Sequence, residues 1–271
     1  MKLGLTLPSF VDDPAVPLAV AVAADGAGVD AVFAFDHLFR GPPERRRPAL
    51  ECTTLLGAVA AATRRVGLGS LVARSTLRPP AVLAHALDTV HRISSGRLLV
   101  GVGSGDEQSR EENESYGLDF GTDDDRLASL HAAVEVLTGR GYPVWVGGRA
   151  GHMIRAGGTA DGWNRWGVTP ARLAAERDEV LAAHPGGPEH LTVSWGGLAV
   201  IGATEAEAEA KAARLAPGPR VLVGGPERLA EALAGYAAAG ASWAVLGPID
   251  SSDPSNAAVL GELVAPLVRD L

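Results

Sequence analysis

The chain has 271 residues, 46% of them apolar and 21% charged, which excludes a disordered chain, a coiled coil and a collagen-like fibre. The net charge of −8, from 24 Lys+Arg against 32 Asp+Glu, has the wrong sign for a nucleic-acid binder. The single cysteine, Cys52, cannot form an internal disulfide or a thiolate metal site and reads as a small apolar filler on a helix.

Leu3–Leu7 reads as a strand closed by Pro8, and Ala15–Gly26 as a helix stopped by glycine. Asp30–Phe35 is a second strand, Leu50–Thr63 a helix and Val66–Ala73 a third strand. Pro80–Arg92 is a helix with proline in its first turn, where a missing N–H costs little. Leu98–Val102 is a strand, Arg126–Leu137 a helix, Pro143–Val146 a strand, and a short helix begins at His152. A brief strand near Asp161–Trp163, the helix Pro170–Ala183 and the strand Leu191–Ile201 follow. Thr204 caps a helix over Glu205–Leu215, and the chain closes with the helix Pro226–Ala239, the strand Trp243–Leu246 and the helix Ala257–Val268. Gly121–Asp125 and Pro185–His190 read as loops.

Strand followed by helix, about eight times, is the signature of parallel βαβ units. The strands are apolar throughout, as expected when both faces are covered. Length and unit count favour an α/β protein with a single (β/α)8 TIM barrel over 1–271; an open doubly wound sheet is the alternative. Met1-Lys2 leads straight into LGLTLPSF, too short for a signal core, and Leu18–Ala24 is far shorter than the roughly 20 residues that cross a bilayer. A soluble cytoplasmic protein is expected, with a small-molecule substrate and neither a nucleic-acid nor a membrane partner.

In such a barrel the chemistry sits where strands end. Asp36-His37 follows the second strand directly, so both side chains are expected at the mouth; His37 would handle a proton and Asp36 would orient it, or the pair merely caps and packs. GVGSG (Gly101–Gly105) after the fourth strand is an anion-binding loop or a tight turn, and Asp106 and Glu107 behind it are proton-handling carboxylates or solvated charges. VGGRAGHMIR (Val146–Arg155) joins glycines, Arg149 and a helix start, which suits a phosphate, or is a glycine turn with a surface arginine. DGWNRWG (Asp161–Gly167) puts Trp163 and Trp166 at the mouth as flat surfaces for a ring-shaped ligand, or in the core. The run Arg45-Arg46-Arg47 is a solvated loop or a local anion contact. His85, His91, His131, His152, His184 and His190 carry no zinc spacing, and neither a GxSxG elbow nor a P-loop is present.

Taken in order, KLGLTLPSF, GVDAVFAFDHLF, VGLGSLVARSTLRPPAVLAHALDTVHRISSGRLLVGVGSG, YPVWVGGRAGHMIRAGGTADGWNRWGV and VLVGGPERLAEALAGYAAAGASWAVL resemble the luciferase-like monooxygenase superfamily, in its coenzyme F420-dependent branch. The resemblance implies a barrel holding a deazaflavin ring in its mouth, and a homodimer. It implies that Asp36 contacts the cofactor and His37 faces the substrate carbon as acid or base. A strand-3 bulge, often a non-proline cis peptide, would fall near Leu71-Val72, which would support the back of the cofactor ring and favour its bent geometry. Ser104, Gly105, Gly147, Gly148 and Arg149 would bind the cofactor's side chain or phosphate. Asp106 matches a position where some members hold a proton-donating Glu. Two departures stand out. Only Arg140-Gly141-Tyr142 follows VEVLTG, so the segment before the fifth strand (139–143) is short, which implies an open pocket, a bulkier substrate or reduced activity. Arg74 stands where small residues are common, and would pair with a phosphate or charged ring, or obstruct it. The implied activity is hydride transfer between F420 and an organic substrate. The alternatives are an FMN-dependent monooxygenase using O2, or a non-catalytic cofactor-binding barrel.

Overall fold

The computed structural model describes residues 1–40, 46–187 and 190–271. In chain order its elements are β1 (Lys2–Thr6), α1 (Ala15–Ala27), β2 (Ala31–Ala34), the two-residue strands β3 (Phe39–Arg40) and β4 (Arg47–Pro48), α2 (Cys52–Ala62) and β5 (Gly67–Arg74). Next come α3 (Pro80–Ile93), β6 (Leu98–Gly103), a 3-10 turn (Glu107–Ser109) leading into α4 (Arg110–Ser115), α5 (Asp123–Leu137), β7 (Val144–Gly147), α6 (Ala150–Ala156), β8 (Gly162–Trp166) and α7 (Pro170–Ala183). The last part holds β9 (Thr192–Ile201), α8 (Glu205–Leu215), β10 (Leu222–Gly224), α9 (Pro226–Ala238), β11 (Trp243–Pro248), and α10 (Ser255–Ala258), which passes through a π turn into α11 (Ala265–Val268).

The strands pair in the order β9-β11-β1-β2-β5-β6-β7-β8, and β8 pairs back onto β9. Every pairing in this ring is parallel, so the sheet closes as a (β/α)8 barrel and the open alternative falls. β10 is an addition that the sequence reading lacks: its three residues pair only with Ala199–Ile201 of β9. The β3–β4 hairpin is a second addition. Gly121–Asp125 is only partly a loop. Thr122 and Asp125 form a reciprocal capping box, so α5 starts at Asp123 with three acidic residues in its first turn, where the helix dipole favours them. Of two other expected loops, Arg45 in the arginine run and Pro188 and Glu189 in 185–190 lie outside the described residues.

Strand side chains alternate between two apolar layers. One faces the helices and includes Leu3, Leu5, Val32, Ala34, Val144, Val146, Trp163 and Trp195. The other fills the barrel with Ala31, Phe33, Leu71, Trp145, Trp243 and Val245, and Val72, Leu99 and Trp166 pack against it. Three tryptophans reach the interior, and glycines face two of them. A Cβ on Gly196 would overlap the Trp166 ring, and one on Gly162 would overlap Trp145. In β5 the register to β6 shifts between Ser70 and Ala73, so that Leu71 and Val72 both turn inward; the peptide bond between them is cis.

Candidate active site at the C-terminal mouth of the barrel

Alternation along β2 separates the Asp-His pair. Phe33 points inward, and Phe35 and His37 continue that face above it; Asp36 turns to the opposite side. The expectation that both lie in the mouth is therefore corrected for Asp36. Its side chain is buried and takes two hydrogen bonds from Arg78, at 2.6 and 2.9 Å, and one from the Arg74 N–H at 2.9 Å. No acceptor oxygen is left facing the mouth, so its contact with a cofactor and its orienting of His37 have no support in the geometry.

The group that orients His37 is Glu112, on α4. Its Oε1 lies 2.7 Å from Nδ1 of His37, and its Oε2 accepts from the Leu38 N–H at 2.8 Å and from Arg74 at 3.0 Å. Burial alone would raise the Glu112 pKa, but these hydrogen bonds and the neighbouring Arg74 charge outweigh it and hold the carboxyl below its ordinary value. An ionised carboxylate only accepts, so Nδ1 carries the proton and Nε2 is left as the base. Arg74 serves the same network: it is buried and donates to Asp36 O at 2.8 Å and to Asn113 at 3.2 Å. Burial lowers its pKa, and Glu112 and Asp36 pull it back.

Around the imidazole stands an aromatic wall. The His37 ring centroid is 5.6 Å from Phe10 and 6.3 Å from Phe35, and Phe35 meets Trp166 edge-on at 6.2 Å. Trp166 thus stands where the sequence places it, half-buried at the mouth. Trp163 does not. The strand runs on to Trp166, which leaves Trp163 in mid-strand on the helix-facing side, fully buried, with Nε1 donating to Gly148 O at 3.0 Å.

The glycines of the two loops have a packing role. A Cβ on Gly103 would lie 2.6 Å from Val72 Cγ2, and one on Gly147 would overlap Val72 Cγ1. Both therefore make room for the side chain that the β5 bulge turns inward. Gly105 and Gly148 have positive φ, 73° and 136°, and shape the turns after β6 and β7. At the helix start that follows, the Ala150 N–H donates to Glu176 at 3.2 Å. Asp106 is engaged as a cap, accepting from the Gln108 N–H at 3.1 Å and from Ser109 Oγ at 3.3 Å, which takes away the support for a proton-donating role.

Beside the mouth, where β6 and β7 end, an open cleft of about 570 Å³ is lined by Ser104, Gly105, Asp106 and Arg149, among others. Its lining does not reach His37; wall and cleft are separate features of one face. Four arginines line the cleft. Arg126 is paired with Asp123, Arg155 with Asp124 and Arg172 with Glu176, whereas Arg149 has no ion pair among the described residues. Nε of Arg126 is buried without a partner. Burial and the nearby Arg149 lower the pKa of His152, which also lines the cleft. Of the arginine run, Arg46 pairs with Glu111 at 2.5 Å.

The chain is thus a parallel eight-stranded barrel with a histidine, an aromatic wall and an arginine-bearing cleft at its C-terminal mouth. The chain belongs to the luciferase-like monooxygenase family, whose profile it matches over residues 1–242. Over 152 residues it is 34% identical to an F420-dependent glucose-6-phosphate dehydrogenase of Beutenbergia cavernae, which covers 55% of this chain and 42% of that one. A 90-residue stretch is 39% identical to a phthiodiolone/phenolphthiodiolone dimycocerosates ketoreductase of a Mycobacterium species, covering 32% of this chain and 23% of that one. The chain thus spans less than half the length of these curated relatives. Among solved structures, an F420-dependent secondary alcohol dehydrogenase in complex with an F420-acetone adduct superposes with a TM-score of 0.78 over 99% of both chains, at 17% identity. That likeness is one of fold. No helix among the described residues is long and apolar enough to cross a membrane.

Proposed function

We propose that the chain is an oxidoreductase that moves a hydride between coenzyme F420 and a small organic substrate. The observation that carries this reading is the His37–Glu112 pair, which leaves Nε2 of His37 free as a base within an aromatic wall. F420-dependent enzymes among the relatives and structural neighbours support the choice of carrier.

The residues present fit that carrier. Phe10, Phe35 and Trp166 offer flat apolar faces to a ring, and Val72, half-buried at the mouth, would touch it. Among the described residues Arg149 has no counter-ion and Nε of the cleft residue Arg126 no hydrogen-bond partner, and both arginines suit an anionic tail; Ser104, Gly105 and Gly148 would lie along it. When bound, F420 supplies a carbon that accepts or gives up a hydride. The chain's own part is acid–base work and exclusion of water. Glu112 holds the proton on Nδ1, so Nε2 takes the proton of a substrate hydroxyl and returns it to a carbonyl in the reverse direction. The aromatic wall lowers the local dielectric around that transfer.

His37→Ala should lower turnover by about 10²–10⁴ while the protein still binds F420. Unchanged turnover would remove the imidazole from the reaction. Titration with F420 and with FMN, read by absorbance and fluorescence, tests the carrier; tight FMN and no F420 binding would favour an O2-using monooxygenase. We further read residues 1–271 as one barrel domain, working in the cytoplasm as a homodimer. Sedimentation would test the dimer.

A further inference from the structure

Leu198 breaks the rule of a closed barrel. On β9, Val193 and Trp195 face the helices, so Ser194, Gly196 and Leu198 face the interior. An inward side chain is normally sealed, yet Leu198 is 42% exposed. It stands where the barrel opens. A Cβ on Gly247 would lie 3.2–3.3 Å from Thr6 Oγ1, Leu198 Cδ2 and Trp166 Cη2, so these three side chains converge there. Trp166 carries the surface on to Phe35, and Phe35 on to His37 and Phe10. The result is a continuous apolar wall from β9 to the imidazole. Thr6 is buried beneath it and offers nothing to a ligand.

This wall selects by what it lacks. A polyhydroxylated molecule laid against it would lose water from its hydroxyls and gain few hydrogen bonds in return. A phosphoryl group would find its cations elsewhere, since Arg126, Arg149 and Arg155 line the neighbouring cleft. Among the described residues the one arginine touching the wall is Arg40, exposed on β3, with its guanidinium 5.4 Å from the Phe10 ring centroid.

We infer that the substrate taken at this wall is a neutral alcohol or ketone with an apolar carbon skeleton, not a sugar phosphate, and that Leu198 sets the preference. The inference rests on the hydride-transfer reading above. In the oxidising direction the hydroxyl proton passes to Nε2 of His37. The carbinol hydrogen leaves with both C–H electrons as a hydride to the bound oxidised deazaflavin, and the electron pair left on oxygen by the departing proton forms the C=O π bond.

The test uses the F420-loaded protein and a series of neutral secondary alcohols of increasing carbon number, with glucose 6-phosphate and a hydroxy acid for comparison. kcat/KM should rise about fourfold per added methylene, the factor expected for burying one CH2. Leu198→Ser should flatten that series, and Leu198→Met should keep it. Higher kcat/KM for glucose 6-phosphate, or for the hydroxy acid at equal carbon number, would overturn the inference. Calorimetric binding of the matching ketones separates the two readings. If F420 does not bind or nothing turns over, the hydride reading fails by itself. Ketone affinity for the protein that still grows with each methylene, and loses that growth in Leu198→Ser, sustains the wall as the apolar site; affinity indifferent to chain length overturns it.

Discussion

Nδ1 of His37 and Oε1 of Glu112 lie 2.7 Å apart although 75 positions separate them in the chain. Glu112 satisfies three donors at once: the imidazole, the Leu38 N–H and Arg74. It acts through His37 and is a positioning residue. In Glu112→Gln the amide N–H must face one of those donors: toward the imidazole it selects the tautomer with the proton on Nε2 and removes the base, and toward the Leu38 N–H or Arg74 the contact turns repulsive. We expect kcat to fall about 10- to 100-fold, a part of what acid–base catalysis contributes in full. The F420 dissociation constant should hold, and Glu112→Asp should recover part of the loss. Steady-state kinetics beside a cofactor titration check this; a shared loss of kcat and cofactor affinity would mean a general collapse of the site.

Asp36 is a different kind of residue from its neighbour. Its carboxylate holds both arms of Arg78 and the Arg74 N–H, and Arg78 reaches on to Glu51 at 2.5 Å. Removing one partner of a buried pair leaves the other charge uncompensated, which costs about 3–5 kcal/mol. Asp36→Ala should therefore lower the unfolding free energy measured in urea by that order, while the folded fraction binds F420 as the parent does. Arg78→Lys should lose less, because a charge remains but the two-armed fork does not. Weaker cofactor binding at unchanged stability would return Asp36 to the site.

The barrel was legible in the sequence because its signals are local. Pro80 in a first turn, Thr204 before an acidic helix start and Gly after α1 each act within one helical turn. The site was legible only in part. Strand period shows that adjacent Asp36 and His37 cannot share a face, an inference available from AVFAFDH alone. The Glu112 carboxylate, by contrast, sits in REENES, a charged stretch that gives no local sign which of its acids turns inward. Trp163 and Trp166 are three residues apart and so fall on opposite faces of one strand; reading the strand as ending at Trp163 hid this. Glycines after β6 and β7 read as ligand loops because the sequence does not reveal a neighbour's inward-turned Val72.

That last relationship is open to a double-mutant cycle. A methyl group on Gly147 would overlap Val72 Cγ1, and both residues sit in parallel strands whose backbones cannot separate freely. Gly147→Ala alone should destabilise by about 1–3 kcal/mol, the usual range for overpacking. Val72→Ala removes the obstructing branch, so the double variant should be more stable than the sum of the two singles predicts. Thermal unfolding of the four proteins measures the coupling. Strict additivity would show that the glycine is there for another reason, such as close approach of a ligand.

Acid should weaken the fold through Glu176 first. Its carboxylate takes Arg165 at 2.7 and 3.1 Å, Arg172 at 2.5 Å and the Ala150 N–H at 3.2 Å. Burial opposes ionisation, but these donors prevail and bring the pKa down from 4.5 to about 2; Glu51, bound by Thr54 and Arg78 against the same opposition, is also held at about 2. Because the folded values lie below the unfolded ones, each contributes stability that is complete above about pH 4.5 and lost as pH falls toward 2. The two are not equal. The Glu51 side chain is 42% exposed and solvent screens it, whereas that of Glu176 is 2% exposed. Glu176→Gln should therefore lower the melting temperature at neutral pH and flatten its decline between pH 4.5 and 2, and Glu51→Gln should do so more weakly. Melting curves across that window would count against the ranking if Glu51→Gln flattened the decline as much.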